Sequence, residues 1–120
     1  MDRLFTLDEA RALLPSIVED SRALVAARAD MAEIAHDRRT AGASSLGGVP
    51  ELKALEARIE HLLGGWAGQG IEVKGFAPVL LDFPSVLDGV SVRLCWIEGE
   101  TALGWYHRTD LGFAGRRPLR

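Results

Sequence analysis

At 120 residues the chain has the length of one domain, and it can bury a core without help from disulfides or metal. With 48% hydrophobic and 26% charged residues, it falls outside the disordered, collagen-like and membrane classes. A net charge of −3 argues against general binding to nucleic acid or anionic membrane, and a single cysteine, Cys95, excludes an internal disulfide framework.

The N-terminus, "MDRLFTLDEA", has no apolar leader, so a soluble cytoplasmic protein is expected. "TLDE" at Thr6–Glu9 is a capping box, in which the threonine hydroxyl and the glutamate carboxylate each accept a bond from the other residue's backbone amide. Apolar residues at Ala10, Leu13, Leu14, Ile17, Val18, Leu24, Val25, Met31, Ile34 and Ala35 then keep helical spacing, predicting a helix to about His36. Pro15 lies inside it and predicts a kink.

"DRRTAGASSLGGVP" is a flexible connection. Pro50 and Glu51 open a second helix, carried by Leu52, Leu55, Ile59, Leu62 and Trp66 and ended by Gly64, Gly65, Gly68 and Gly70. From Ile71 the period shortens to that of strands. "IEVKGF", "PVLLDF", "VSVRLCWI" and "TALGWYHR" follow, with Asp88–Gly89 as a turn.

The fold class is therefore α+β in one domain, 1–120. An antiparallel helical hairpin (6–70) with a long kinked first helix precedes a small antiparallel meander of three or four strands (71–108), and an irregular Arg-rich tail (109–120) ends the chain. The first helix would be about 45 Å long, longer than the second can cover. Its apolar stripe thus predicts a homo-oligomer formed through the hairpin.

The tail holds the residues with the most chemistry. A two-residue turn at Gly99–Glu100 or Glu98–Gly99 puts Leu103, Trp105 and His107 on the face of Val92, Leu94 and Trp96. Cys95 then faces the opposite way from His107, which disfavours a cysteine–histidine dyad; a three-residue turn would reverse the pairing. No CxxC, HxxxH or HExxH spacing is present, so neither a metal nor another cofactor is expected.

Trp96, Glu100, Trp105, His107 and Arg116 are the candidate ligand-binding residues. His107 can line an aromatic pocket or be a satisfied core-edge histidine. Arg116 and Arg117 can fork onto a small anionic ligand, or pair with Asp82, Glu98 or Glu100.

"FTLDEARALLP", "LDFPSVLDGVSVRLCWIEGE" and "GWYHRTDLGFAGRRPL" resemble the bacterial domain-of-unknown-function family twenty-two-oh-three over nearly the whole chain. That resemblance implies a bacterial cytoplasmic protein of this architecture and carries no activity, substrate or catalytic residue. The residues themselves favour a non-enzymatic interaction module. The alternative is a small-molecule binder or enzyme with a site near His107 and Arg116.

Overall fold

The computed structural model describes residues 3–120. Two helices, α1 (Leu7–Ala41) and α2 (Val49–Gly68), precede five strands: β1 (Glu72–Phe76), β2 (Val79–Leu87), β3 (Val90–Ile97), β4 (Trp105–Arg108) and β5 (Arg117–Pro118). The strands form one antiparallel sheet in the order β1-β2-β3-β4-β5. The α+β class and the helical hairpin are as expected. The strand number is corrected to five, because the tail pairs with the sheet as β5. No described helix is long and apolar enough to cross a membrane.

The capping box forms in both directions. Thr6 N–H donates to Glu9 Oε1 at 2.9 Å, and Glu9 N–H donates to Thr6 Oγ1 at 3.0 Å. The two bonds satisfy amides that a helix start leaves without partners. Pro15 is accommodated within α1, which runs five residues past the expected His36.

Gly64 and Gly65 lie within α2, which ends at Gly68. Its cap is set at Gly70, whose φ of 89° is open to glycine without strain. There Ile71 N–H reaches Trp66 O at 3.1 Å and Gly70 N–H reaches Ala67 O at 3.0 Å, the two bonds of a Schellman cap.

The chain divides into two compact units, Glu19–Gly64 and the remainder. In the first, Leu24, Ala27, Ile34 and Ile59 are buried. Its connection is ordered by Ser44, whose hydroxyl donates to Asp37 at 2.8 Å, and by Glu51, which accepts from Gly48 N–H at 2.8 Å.

The second unit contains the sheet. Alternation places Leu81, Phe83 and Ser85 of β2 on one face with Val92, Leu94 and Trp96 of β3. With Phe5, Ala10, Leu14, Ile17 and Trp66 they form the buried core of the unit, and Phe5 meets Phe83 edge-on at 5.4 Å.

Residues 81–85 are buried on both faces, so the sheet has a second covered side. Pro84 fits within this buried strand because β1 pairs β2 only as far as Asp82. Beyond it, the edge is taken by Phe5, whose N–H donates to Pro84 O at 2.7 Å. The missing proline N–H faces that same edge, where no ladder bond is lost.

Candidate functional site

The β3–β4 connection decides which residues meet on the second face. It is not a two-residue turn. A tight turn closes from Ile97 to Glu100, with Gly99 at φ 98°, and the chain continues through buried Leu103 before β4 begins. The longer path reverses the expected pairing, setting Arg93 opposite His107 and Cys95 opposite Trp105. The expectation that Cys95 and His107 face opposite ways is therefore corrected, since they share a face. Asp82 of β2, paired with Cys95, joins them.

The result is a buried cluster of three different ligand types. Asp82 and His107 are each 3% exposed and Cys95 is 1% exposed. One carboxylate oxygen, the thiol sulfur and one imidazole nitrogen all lie within 4.8 Å of one another.

Hydrogen bonding defines what the histidine can offer. Nδ1 lies 2.8 Å from the carbonyl oxygen of Arg108. A carbonyl only accepts, so Nδ1 carries a proton and the neutral ring presents its lone pair at Nε2. That lone pair faces Asp82 Oδ2 at 3.1 Å, an acceptor when ionised. A positive charge between the two, either a proton or a metal cation, reconciles them. Asp82 Oδ1 is also buried and has no hydrogen-bond partner among the described residues. A buried carboxylate oxygen left unmatched is costly, and it marks a place for a cation.

The thiol is not set up as a nucleophile. Burial first, and then the negative charge of Asp82, push Cys95 up to about 11, against an opposing hydrogen bond and charge from Arg116. Both nitrogens of His107 are engaged elsewhere, so the imidazole is not free to take the thiol proton. A coordinating cation, in contrast, would deprotonate the thiol on binding.

The tail covers part of this face. Gly112, with φ 70°, redirects the chain into a short 3-10 turn at Phe113–Gly115. Arg116 then lies over the rings of Trp105 and Phe113, 4.9 and 5.2 Å from their centroids. Its guanidinium donates to Cys95 O at 3.0 Å and forms a close ion pair with Glu100.

Of the five candidate residues, Glu100, Trp105, His107 and Arg116 thus gather around the cluster. Trp96 does not. It belongs to the core on the opposite face, with its indole N–H donating to Glu100 O at 3.0 Å. Arg116 is held by Glu100, and its forked end is occupied by the fold.

A cleft of about 340 Å³ opens beside the cluster and is lined by Asp82 and His107. Glu72, Lys74, Arg93 and Phe113 also line it. Arg93 forks onto Glu72 at 2.9 and 3.2 Å and reaches Thr109 at 3.0 Å. Burial alone would raise the Glu72 carboxyl, but hydrogen bonds and charge from Arg93 and Lys74 outweigh it and hold the carboxyl below its ordinary value.

Sequence reasoning named Asp82 only as a partner for arginine. The signal was a lone carboxylate within the apolar run "PVLLDFPSVL", and its partners lie on two other strands, outside any local spacing.

The chain belongs to the family described as Uncharacterized conserved protein (DUF2203), whose model matches residues 3–119. No curated protein and no solved structure matches it.

Proposed function

We propose that this family member binds one divalent transition-metal ion through Asp82, Cys95 and His107, and presents it to a small molecule in the adjoining cleft. The observation that carries the reading is the convergence of three buried donors on one point, one carboxylate oxygen having no other partner. A mixed sulfur, nitrogen and oxygen set suits zinc or a neighbouring ion, whereas calcium and magnesium prefer oxygen alone.

Tetrahedral zinc with bonds of about 2.0–2.3 Å sets its ligand atoms roughly 3.3–3.8 Å apart. The 3.1 Å between His107 Nε2 and Asp82 Oδ2 is already near that edge length. The widest pair needs to close by about 1 Å, which small side-chain rotations supply. The bond from His107 Nδ1–H to Arg108 O is the outer contact that orients a metal-binding imidazole.

Three protein ligands leave a coordination position open. That is the arrangement of metal centres that polarise a substrate or activate water, as opposed to closed four-ligand structural sites. The cleft beside Asp82 and His107 gives that position access to a ligand. This reading departs from the sequence-based preference for a non-enzymatic interaction module.

Metal analysis of the purified protein, and cobalt titration of protein stripped by chelator, test it. Equimolar metal and a thiolate-to-cobalt charge-transfer band are expected; Cys95→Ser should lose the band and hold the metal more weakly. Absence of stoichiometric binding by zinc, cobalt and iron alike would overturn the proposal.

A second reading, self-association, is supported by the helical unit. Val25 and Met31 of α1 and Leu52, Leu55 and Leu62 of α2 remain half-buried in the single chain. A second copy would cover them. A monomeric mass across a wide concentration range in sedimentation would refute it.

A further inference from the structure

The sheet also bears a groove on the face opposite the Asp82–Cys95–His107 cluster, and no part of the proposed metal site enters it. Its volume is about 570 Å³, within the range of small-molecule pockets. The floor continues the apolar face of the sheet past the start of α1. Val90 and Val92 lie there beside Tyr106 and Leu119, and Val90 is 47% exposed.

The rim is cationic. Arg108, Arg117 and Arg120 line the groove against a single acidic side chain, Asp88. Register explains part of this concentration. Arg108 is paired with Val92, and Arg117 with Tyr106, so both guanidinium stems rise from the apolar face itself. Arg108 holds Asp110 at 2.8 Å. Arg117 and Arg120 have no ion-pair partner among the described residues.

We infer that this groove binds a small amphipathic anion, its apolar chain on Val90, Tyr106 and Leu119 and its carboxylate or sulfonate on Arg117 and Arg120. The chemistry of the lining selects this occupant. A neutral apolar molecule would leave the arginines unused, and an inorganic anion would leave the apolar floor wet. Local positive charge in a chain of net charge −3 draws an anion to this spot in preference to the rest of the surface. Arginine is suited to the task, since its planar fork matches a carboxylate.

The test uses the full chain, with 8-anilinonaphthalene-1-sulfonate as reporter and decanoate as competitor. One saturable site is expected, with decanoate displacing the reporter and decyltrimethylammonium, of equal chain length and opposite charge, failing to do so. Arg117→Gln combined with Arg120→Gln should weaken decanoate about tenfold or more, the loss of one good charge-assisted contact. Val90→Asp should abolish binding, and both variants should keep the wild-type circular dichroism spectrum and metal content. Equal displacement by the cationic surfactant, or decanoate affinity unchanged in the double variant, would overturn the inference. So would a dimer that excludes decanoate and dissociates on Val90→Asp, because the groove would then be an interface between copies.

Discussion

Asp82 and Cys95 stand directly opposite each other in the β2–β3 ladder, so a carboxylate and a thiol emerge side by side from one buried face. A carboxylate in that position raises the thiol, against the opposing hydrogen bond and charge of Arg116. His107 closes the group from β4 with its Nε2 turned toward Asp82. A core selected only for packing would hold apolar residues here at lower cost.

If the group is a metal site, metal should stabilise the fold and Asp82→Asn should remove the effect. Zinc at one hundred times its dissociation constant contributes about 2.7 kcal/mol, or about 10 °C in Tm for a chain of this size. Differential scanning fluorimetry of metal-free protein with and without zinc measures it. The asparagine variant keeps the side-chain shape and lacks the charge, so its Tm should move by less than about 2 °C on zinc addition. An equal shift in both proteins would assign the metal effect elsewhere.

Arg116 should act as the fastening of the tail. It joins Glu100, the Cys95 carbonyl and the faces of Trp105 and Phe113, and its side chain is only 14% exposed. Arg116→Ala leaves the half-buried Glu100 without its cation, with only the Ile97 N–H to bond it, and is expected to cost about 2–3 kcal/mol in denaturant unfolding. Arg116→Lys keeps the charge and loses the fork, and should cost about half as much. Hydrogen exchange at Phe113–Pro118 should rise in the alanine variant. A change under about 0.5 kcal/mol would show the tail to be fastened by other contacts.

Acid stability should depend on Glu72. Its carboxyl is held below the ordinary value of 4.5 by Arg93 and Lys74 against the effect of burial. The folded state therefore binds this proton less readily than the unfolded chain does. The contribution is complete above about pH 4.5 and is lost as pH falls through the folded value. Glu72→Gln should lower stability at pH 7 and flatten the acid limb of the stability profile. Parallel acid limbs in the two proteins would remove Glu72 as a source of the pH dependence.

What the sequence made legible followed the range of the interaction. The Thr6–Glu9 cap spans one helical turn, and its pattern is visible in four letters. The end of α2 was harder. Gly64 and Gly65 lower helix propensity by about 1 kcal/mol each relative to alanine, yet buried Trp66 and the Gly70 cap carry the helix past them to Gly68. β5 was hidden because Arg117 finds its partner, Tyr106, across the intervening turn, and two residues carry no period.

The site turned on parity. Once the Ile97–Trp105 connection exceeded a two-residue turn, every side chain of β4 changed face relative to β3. His107 was legible as a candidate, and its company was not.

Metal binding should also release a proton from Cys95. In the metal-free protein the thiol is raised to about 11 by burial and by Asp82, so at pH 7 it is fully protonated. Coordination requires the thiolate, and the cation supplies the charge that burial withholds. Calorimetric zinc titrations in buffers of different ionisation enthalpy give the number of protons released per metal. The wild type should release about one more than Cys95→Ser, which has no thiol to ionise. Equal release by the two proteins, at equal stoichiometry, would mean that the sulfur is not a ligand and that Asp82 and His107 hold the ion without it.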